Sequence, residues 1–158
     1  MTRLRKSGLV LLLAIIPLLL GACAAPAAQP DSPARPLQET VGEALAGYTG
    51  LVPVELTDLV GLTGLDETMI GDWVYLVSAD GLSAEEVIAL RCTEENHVPA
   101  VKERLEIYLE QRLRETRNYL PDAYACLQQA AVQTEGRLVL LVTGSRAEAW
   151  AETILAGE

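Results

Sequence analysis

Three regimes of hydrophobic patterning divide the chain. Residues Leu9 to Leu20 are continuously apolar, with Pro17 inside the run. Residues 24–38 (AAPAAQPDSPARPLQ) show no apolar period and carry four prolines, Pro26, Pro30, Pro33 and Pro36. From about residue 39 onward, apolar positions recur with the periods of helices and strands. Leu37, Val41, Leu45 and Tyr48 recur at helical spacing and predict a helix over 38–47, stopped by Gly47 and Gly50. Leu56, Leu59 and Val60 predict a short helix ending near Gly61 and Gly64, and Asp66 is placed to cap one more turn before Gly71.

The middle of the chain switches period. Trp73-Val74-Tyr75-Leu76-Val77 is aromatic and β-branched, which suits a pleated surface. Ala79-Asp80-Gly81 supplies turn chemistry. Over 83–92 two signals compete. Ser83 and Glu86 match a capping box, while Val87-Ile88-Ala89-Leu90 is short and apolar. The expectation is a strand over 86–92, paired antiparallel with 73–78.

A long helix follows. Val98, Val101, Leu105, Tyr108, Leu109 and Leu113 make one stripe, and Lys102, Glu103, Glu106, Glu110, Arg114 and Arg117 face outward. Asn96 is the expected N-cap, with Pro99 in the first turn, where its missing N–H matters little. Pro121 ends this helix near Asn118 and starts a short one running to about Gln129. Residues 131–134 and 137–143 predict a hairpin around Glu135-Gly136. Leu138 to Val142 is apolar without alternation, as for a strand covered on both faces. Ser145 and Glu148 form a capping box for a last helix over 146–156. The order predicts an α+β domain over residues 39–158. It has an antiparallel sheet of about four strands in two hairpins, packed with a long helix and shorter ones.

The apolar run at the N-terminus changes the picture of where this domain works. Arg3, Arg5 and Lys6 precede it, and small residues follow it, the layout of a secretory signal. Twelve apolar residues are too few for a spanning helix, which needs ~20. Leu20-Gly21-Ala22-Cys23 resembles the lipobox of bacterial lipoproteins. That resemblance implies recognition of Leu20, Gly21 and Ala22 by a signal peptidase, cleavage before Cys23, and a diacylglycerol thioether on Cys23. Residues 1–22 are then a signal peptide. Residues 23–38 are a lipidated cysteine with a disordered tether, reaching up to ~45 Å at ~3.1 Å per residue if extended. The expected location is the extracytoplasmic face of the cell membrane, with the lipid on Cys23 as the membrane partner. Two acyl chains suffice for stable anchoring.

Charge narrows the remaining partners. The chain carries 12 basic and 22 acidic residues. Loss of the signal's three basic residues leaves 9 against 22, a net charge of −13. Such a chain repels nucleic acid, and none is expected as a partner. Cys92 and Cys126 remain after lipidation. Two inert buried thiols are expected, a Cys92–Cys126 bridge being the alternative that the compartment permits.

Chemistry is sparse. His97 is the one histidine and is read as a first-turn surface residue. Neither metal-ligand spacing nor a nucleophile–base–orienter set is present, and no cofactor, metal site or catalytic residue is expected. The adjacent pairs Asp66-Glu67, Glu85-Glu86 and Glu94-Glu95 project in different directions and make no two-carboxylate site by themselves. Tyr119 and Pro121 are singled out at the helix junction. The favoured reading packs the Tyr119 ring beneath the bend that Pro121 sets. Arg112 is read as a solvated helix residue, with a buried charge partner as the alternative.

Glu86 to Arg91, a charged helix containing Arg112, Tyr119-Leu120-Pro121 and Gly136 to Val142 occur in that order. Together they resemble an uncharacterised lipoprotein family of clostridia and relatives, domain-of-unknown-function family 4358, over roughly residues 40–156. Tyr119-Leu120-Pro121 is the most distinctive piece. The resemblance implies the anchor, the α+β fold and a Gram-positive cell surface, and adds no chemistry. The expected function is non-enzymatic binding of a protein or envelope component. An envelope-acting enzyme with a carboxylate site, or a small-ligand carrier, is the alternative.

Overall fold

The computed structural model describes residues 35–158. The expectations for the signal, Cys23 and the tether up to residue 34 lie outside the described residues. The folded unit takes in residues 35–38, which the sequence assigned to the tether. Leu37 is fully buried and opens the first helix.

Five strands form one antiparallel sheet in the order β1-β2-β3-β5-β4. They are β1 (Leu51–Pro53), β2 (Ile70–Ser78), β3 (Glu86–Cys92), β4 (Val132–Glu135) and β5 (Leu138–Thr143). The two expected hairpins are β2–β3 and β4–β5, with Val74 opposite Ala89 and Thr134 opposite Val139. The fifth strand, β1, was not expected. It is three residues long and contains Pro53, and it pairs at the sheet edge, where a missing N–H is tolerated.

Helices cover both faces. α1 (Leu37–Ala44) and α5 (Ala147–Ala156) pack on one. α2 (Leu56–Thr63), α3 (Val98–Thr116) and α4 (Pro121–Leu127) pack on the other. Alternate residues of β5 therefore enter different cores: Val139 and Leu141 meet the α3 side, and Leu138, Leu140 and Val142 the α5 side. All of β3 and β5 is buried, which explains their unalternating apolar runs. Each fully buried Leu or Ile there contributes roughly 1.5–3 kcal/mol of transfer free energy.

The competition at residues 83–92 was won by burial on two faces. Ser83 does not cap a helix. Its N–H donates to Asp80 Oδ1 at 2.9 Å, and its Oγ accepts the Glu85 N–H at 3.4 Å, both within the β2–β3 turn. Two other expected caps are also absent. A 3₁₀ turn over Glu95–His97 precedes α3, so Asn96 is not its N-cap, though Pro99 does lie in the first turn. His97 sits at that start, its Nδ1 3.0 Å from Thr93 Oγ1. Ser145 does not cap α5; its Oγ donates to Glu85 Oε1 at 3.3 Å.

One end of the sheet is held by ions. Arg91 donates to Asp72 Oδ2 at 2.8 Å and makes a two-pronged contact with the Glu158 carboxylate. The Leu37 N–H donates to the same Asp72 oxygen at 2.8 Å. The start of α1 and the end of α5 are thus clasped beside the first residues of β2. No described helix is long and apolar enough to cross a membrane.

Candidate functional site

The opposite end of the sheet is built from segments far apart in sequence. Tyr48 follows α1. The turn 79–85 joins β2 to β3. Leu120 to Ala123 form the α3–α4 junction, and Gly144-Ser145 joins β5 to α5. Between them lies an open groove of about 630 Å³. Leu82, Ala84, Leu120, Pro121 and Ala123 supply apolar wall, and Cys126 lies at the α4 side. Leu82 is 66% exposed, and Tyr119, next to Leu120, is 84% exposed.

Polar groups around the groove are held in place. Asp80 Oδ1 accepts from Ser78 Oγ, the Leu82 N–H and the Ser83 N–H at 2.8–2.9 Å. Those backbone and hydroxyl donors hold its carboxyl below the usual range. Glu85 accepts from the Tyr48 hydroxyl and from Ser145. The hydrogen bond to Glu85 pushes the Tyr48 phenol up. The Tyr48 ring lies 5.1 Å from that of Trp150, and the Arg146 guanidinium sits over it, 4.7 Å from the centroid.

Gly144 makes this crowding possible. Its φ is +108°, and a Cβ there would fall 2.5 Å from Glu85 Cγ and 3.0 Å from Glu85 Cα. Only glycine combines that backbone with that approach.

Behind the β2–β3 turn a smaller hollow of about 310 Å³ reaches Glu86 and Arg112. Glu86 is 2% exposed on the α3 face of the central strand. Its Oε1 accepts from the Tyr108 hydroxyl at 2.7 Å, and its Oε2 from Arg112 at 3.2 Å. Arg112 also donates to the Tyr108 oxygen at 2.9 Å. Burial pushes the Glu86 carboxyl up, against the downward pull of Arg112, Tyr108 and Tyr75. Burial and the Glu86 charge push Tyr108 up, and likewise Tyr75, to about 12. For Arg112, burial works against the cation, but Glu86 and Tyr108 outweigh it and raise its pKa. A burial-shifted acid would favour catalysis if it faced a second acid across a cavity. Glu85 and Glu115 line the same hollow, but both Glu86 oxygens are taken by Tyr108 and Arg112.

Of the sequence-selected residues, Pro121 lines the groove, Arg112 lines the smaller hollow, and Tyr119 lines neither. Arg112 is the buried ion-pair partner, not a solvated helix residue. The Tyr119 ring does not pack beneath the junction; it stands in solvent. Pro121 opens α4 and lines the groove. Cys92 and Cys126 are unbridged, Cys92 buried and Cys126 half-buried. Glu86 was missed as a site residue. Its signal was a charge heading an apolar strand, facing a helix whose buried stripe continues from Val101, Leu105 and Tyr108 to Arg112. Among the described residues no three His, Cys, Asp or Glu side chains are grouped to hold a metal ion.

These features define an α+β domain whose antiparallel sheet is covered on both faces and carries an open groove at one end. The chain belongs to the family described as Domain of unknown function (DUF4358), matched over residues 45–144. That span is shorter than the resemblance over 40–156. It omits α1 and α5 but contains every groove residue except Ser145. No curated protein and no solved structure is significantly similar to the chain.

Proposed function

We propose that this protein is a membrane-anchored lipoprotein of the extracytoplasmic cell surface, and that its domain is a non-enzymatic binding module using the groove. Leu20-Gly21-Ala22-Cys23 after an apolar run supports the anchor. The observation that carries the binding reading is the groove itself. Its apolar wall of Leu82, Ala84, Leu120, Pro121 and Ala123 includes one large side chain, Leu82, that stands in solvent. Exposed apolar side chains scattered singly mean little, but gathered at a concave site they mark a contact surface.

Both halves are testable in one strain expressing the full chain. An alkyne fatty acid should label the wild type and not Cys23→Ala, because Cys23 is the one thiol at the lipobox position. The Cys23→Ala protein should leave the membrane-bound lipoprotein pool while its domain stays folded. Label persisting on Cys23→Ala would sink the anchor. In the same cells, a photo-crosslinking amino acid at position 82 should yield a discrete adduct, and one at Glu135, at the far end of the sheet, should not. Equal adducts from both positions would remove the groove from the reading.

A further inference from the structure

We infer that the groove docks an extended segment of a partner protein, in which an apolar side chain is flanked by lysine or arginine. The inference rests on the binding reading above and narrows it to one class of partner. Charge carries it. The charged side chains lining the groove are Asp80, Glu85 and Asp122, and none of the lining residues is Lys, Arg or His. Asp80 and Glu85 are not swinging surface acids. Asp80 is fixed by three donors from its own turn, and Glu85 by Tyr48 and Ser145. Arg146, beside the rim, is occupied over the Tyr48 ring. The groove therefore presents oriented negative charge around an apolar floor, and a cation there meets no competing one from the lining.

Size and rim select a polypeptide. About 630 Å³ in an open groove takes one or two side chains with their backbone. The exposed Leu82 side chain offers apolar surface to a partner side chain at the groove. An anionic lipid or phosphate ligand would face repulsion from the lining acids and from a mature chain of net charge −13.

The test uses the full lipidated chain in phosphatidylcholine nanodiscs, with empty nanodiscs subtracted. The probe is a fluorescein-labelled ten-residue peptide alternating lysine and leucine between Gly-Ser ends, read by anisotropy. Binding should weaken by about tenfold or more when glutamate replaces its lysines, or serine its leucines. Asp122→Lys should weaken it about threefold or more, as reversal of an exposed charge does, and Glu135→Lys should not. Leu82→Ser should weaken it without changing its salt dependence. No binding, equal binding of the glutamate peptide, or equal loss from Glu135→Lys overturns the inference. Displacement of the peptide by chitotetraose overturns it in favour of an envelope glycan. A position-82 adduct in cells together with a silent peptide would leave the binding reading standing and this inference refuted.

Discussion

Arg112→Met should lower the unfolding free energy by about 2–3 kcal/mol, among the largest effects of any partly exposed residue in the domain. Breaking a buried pair costs ~3–5 kcal/mol because the remaining charge is left in low dielectric. The Arg112 side chain keeps 26% of its exposure, so solvent screening brings the cost to the bottom of that range or just below it. The loss should depend on pH. Burial already raises the Glu86 carboxyl above its ordinary 4.5, and removing Arg112 raises it further. A carboxyl with a raised folded pKa contributes stability that is present below the unfolded pKa and is lost as pH rises through the folded one. The deficit of Arg112→Met should therefore be small near pH 4.5 and grow toward pH 8. Adding Glu86→Gln should recover at least half of it, since no buried charge then remains. Urea midpoints of the four proteins across that range decide the matter. Additive, pH-independent losses would mean that Arg112 acts through packing alone.

Gly144→Ala should cost about 3 kcal/mol, combining a strained backbone of ~1–3 kcal/mol with a contact that cannot relax. The methyl would meet Glu85 Cα at 3.0 Å, and a backbone atom in a paired strand end cannot swing aside as a side-chain tip can. Relief requires β3 and the β5–α5 loop to part, which pulls Glu85 from Tyr48 and Ser145. Gly42→Ala is the internal control. Gly42 lies exposed in α1, and a methyl group added there would meet nothing within 4 Å. Its substitution should stabilise by roughly 0.5–1 kcal/mol. Thermal melts of both variants test this. A Gly144→Ala protein as stable as the wild type would show that the loop is not constrained as described.

Periodicity reached the elements and stopped short of their caps. The β2–β3 hairpin, β5 and the long helix follow from runs of five or more residues whose burial has one solution. Val87 to Leu90 reads as a strand because two packed faces reward an unbroken apolar run more than one serine rewards a helix start. The caps failed for the complementary reason. Ser83 bonds within its own turn, a 3₁₀ turn removes Asn96 from the helix start, and the tertiary contact with Glu85 takes Ser145 from its local one. β1 was illegible because three residues at a sheet edge carry no period. The groove was illegible as a place, since Tyr48, Leu82, Pro121 and Gly144 have no common pattern until the sheet gathers them. Arg112 alone could have been read correctly, because its helix stripe already pointed it inward.

The clasp at Asp72 gives the domain a mechanical axis. The chain enters beside the first residues of β2, where the Leu37 N–H meets Asp72, and the groove opens beyond Ser78, the last residue of the same strand. Six residues of strand separate those two points, ~20 Å at ~3.3 Å each. For a domain tethered through its N-terminus and gripped at the groove, tension runs along the strands. Antiparallel hydrogen bonds lie across that direction, so they bear the load together in shear rather than opening one at a time. The same sheet pulled sideways from its β1 edge would unzip. Were the protein anchored and engaged at the groove as proposed above, tension along this axis would load the sheet in shear.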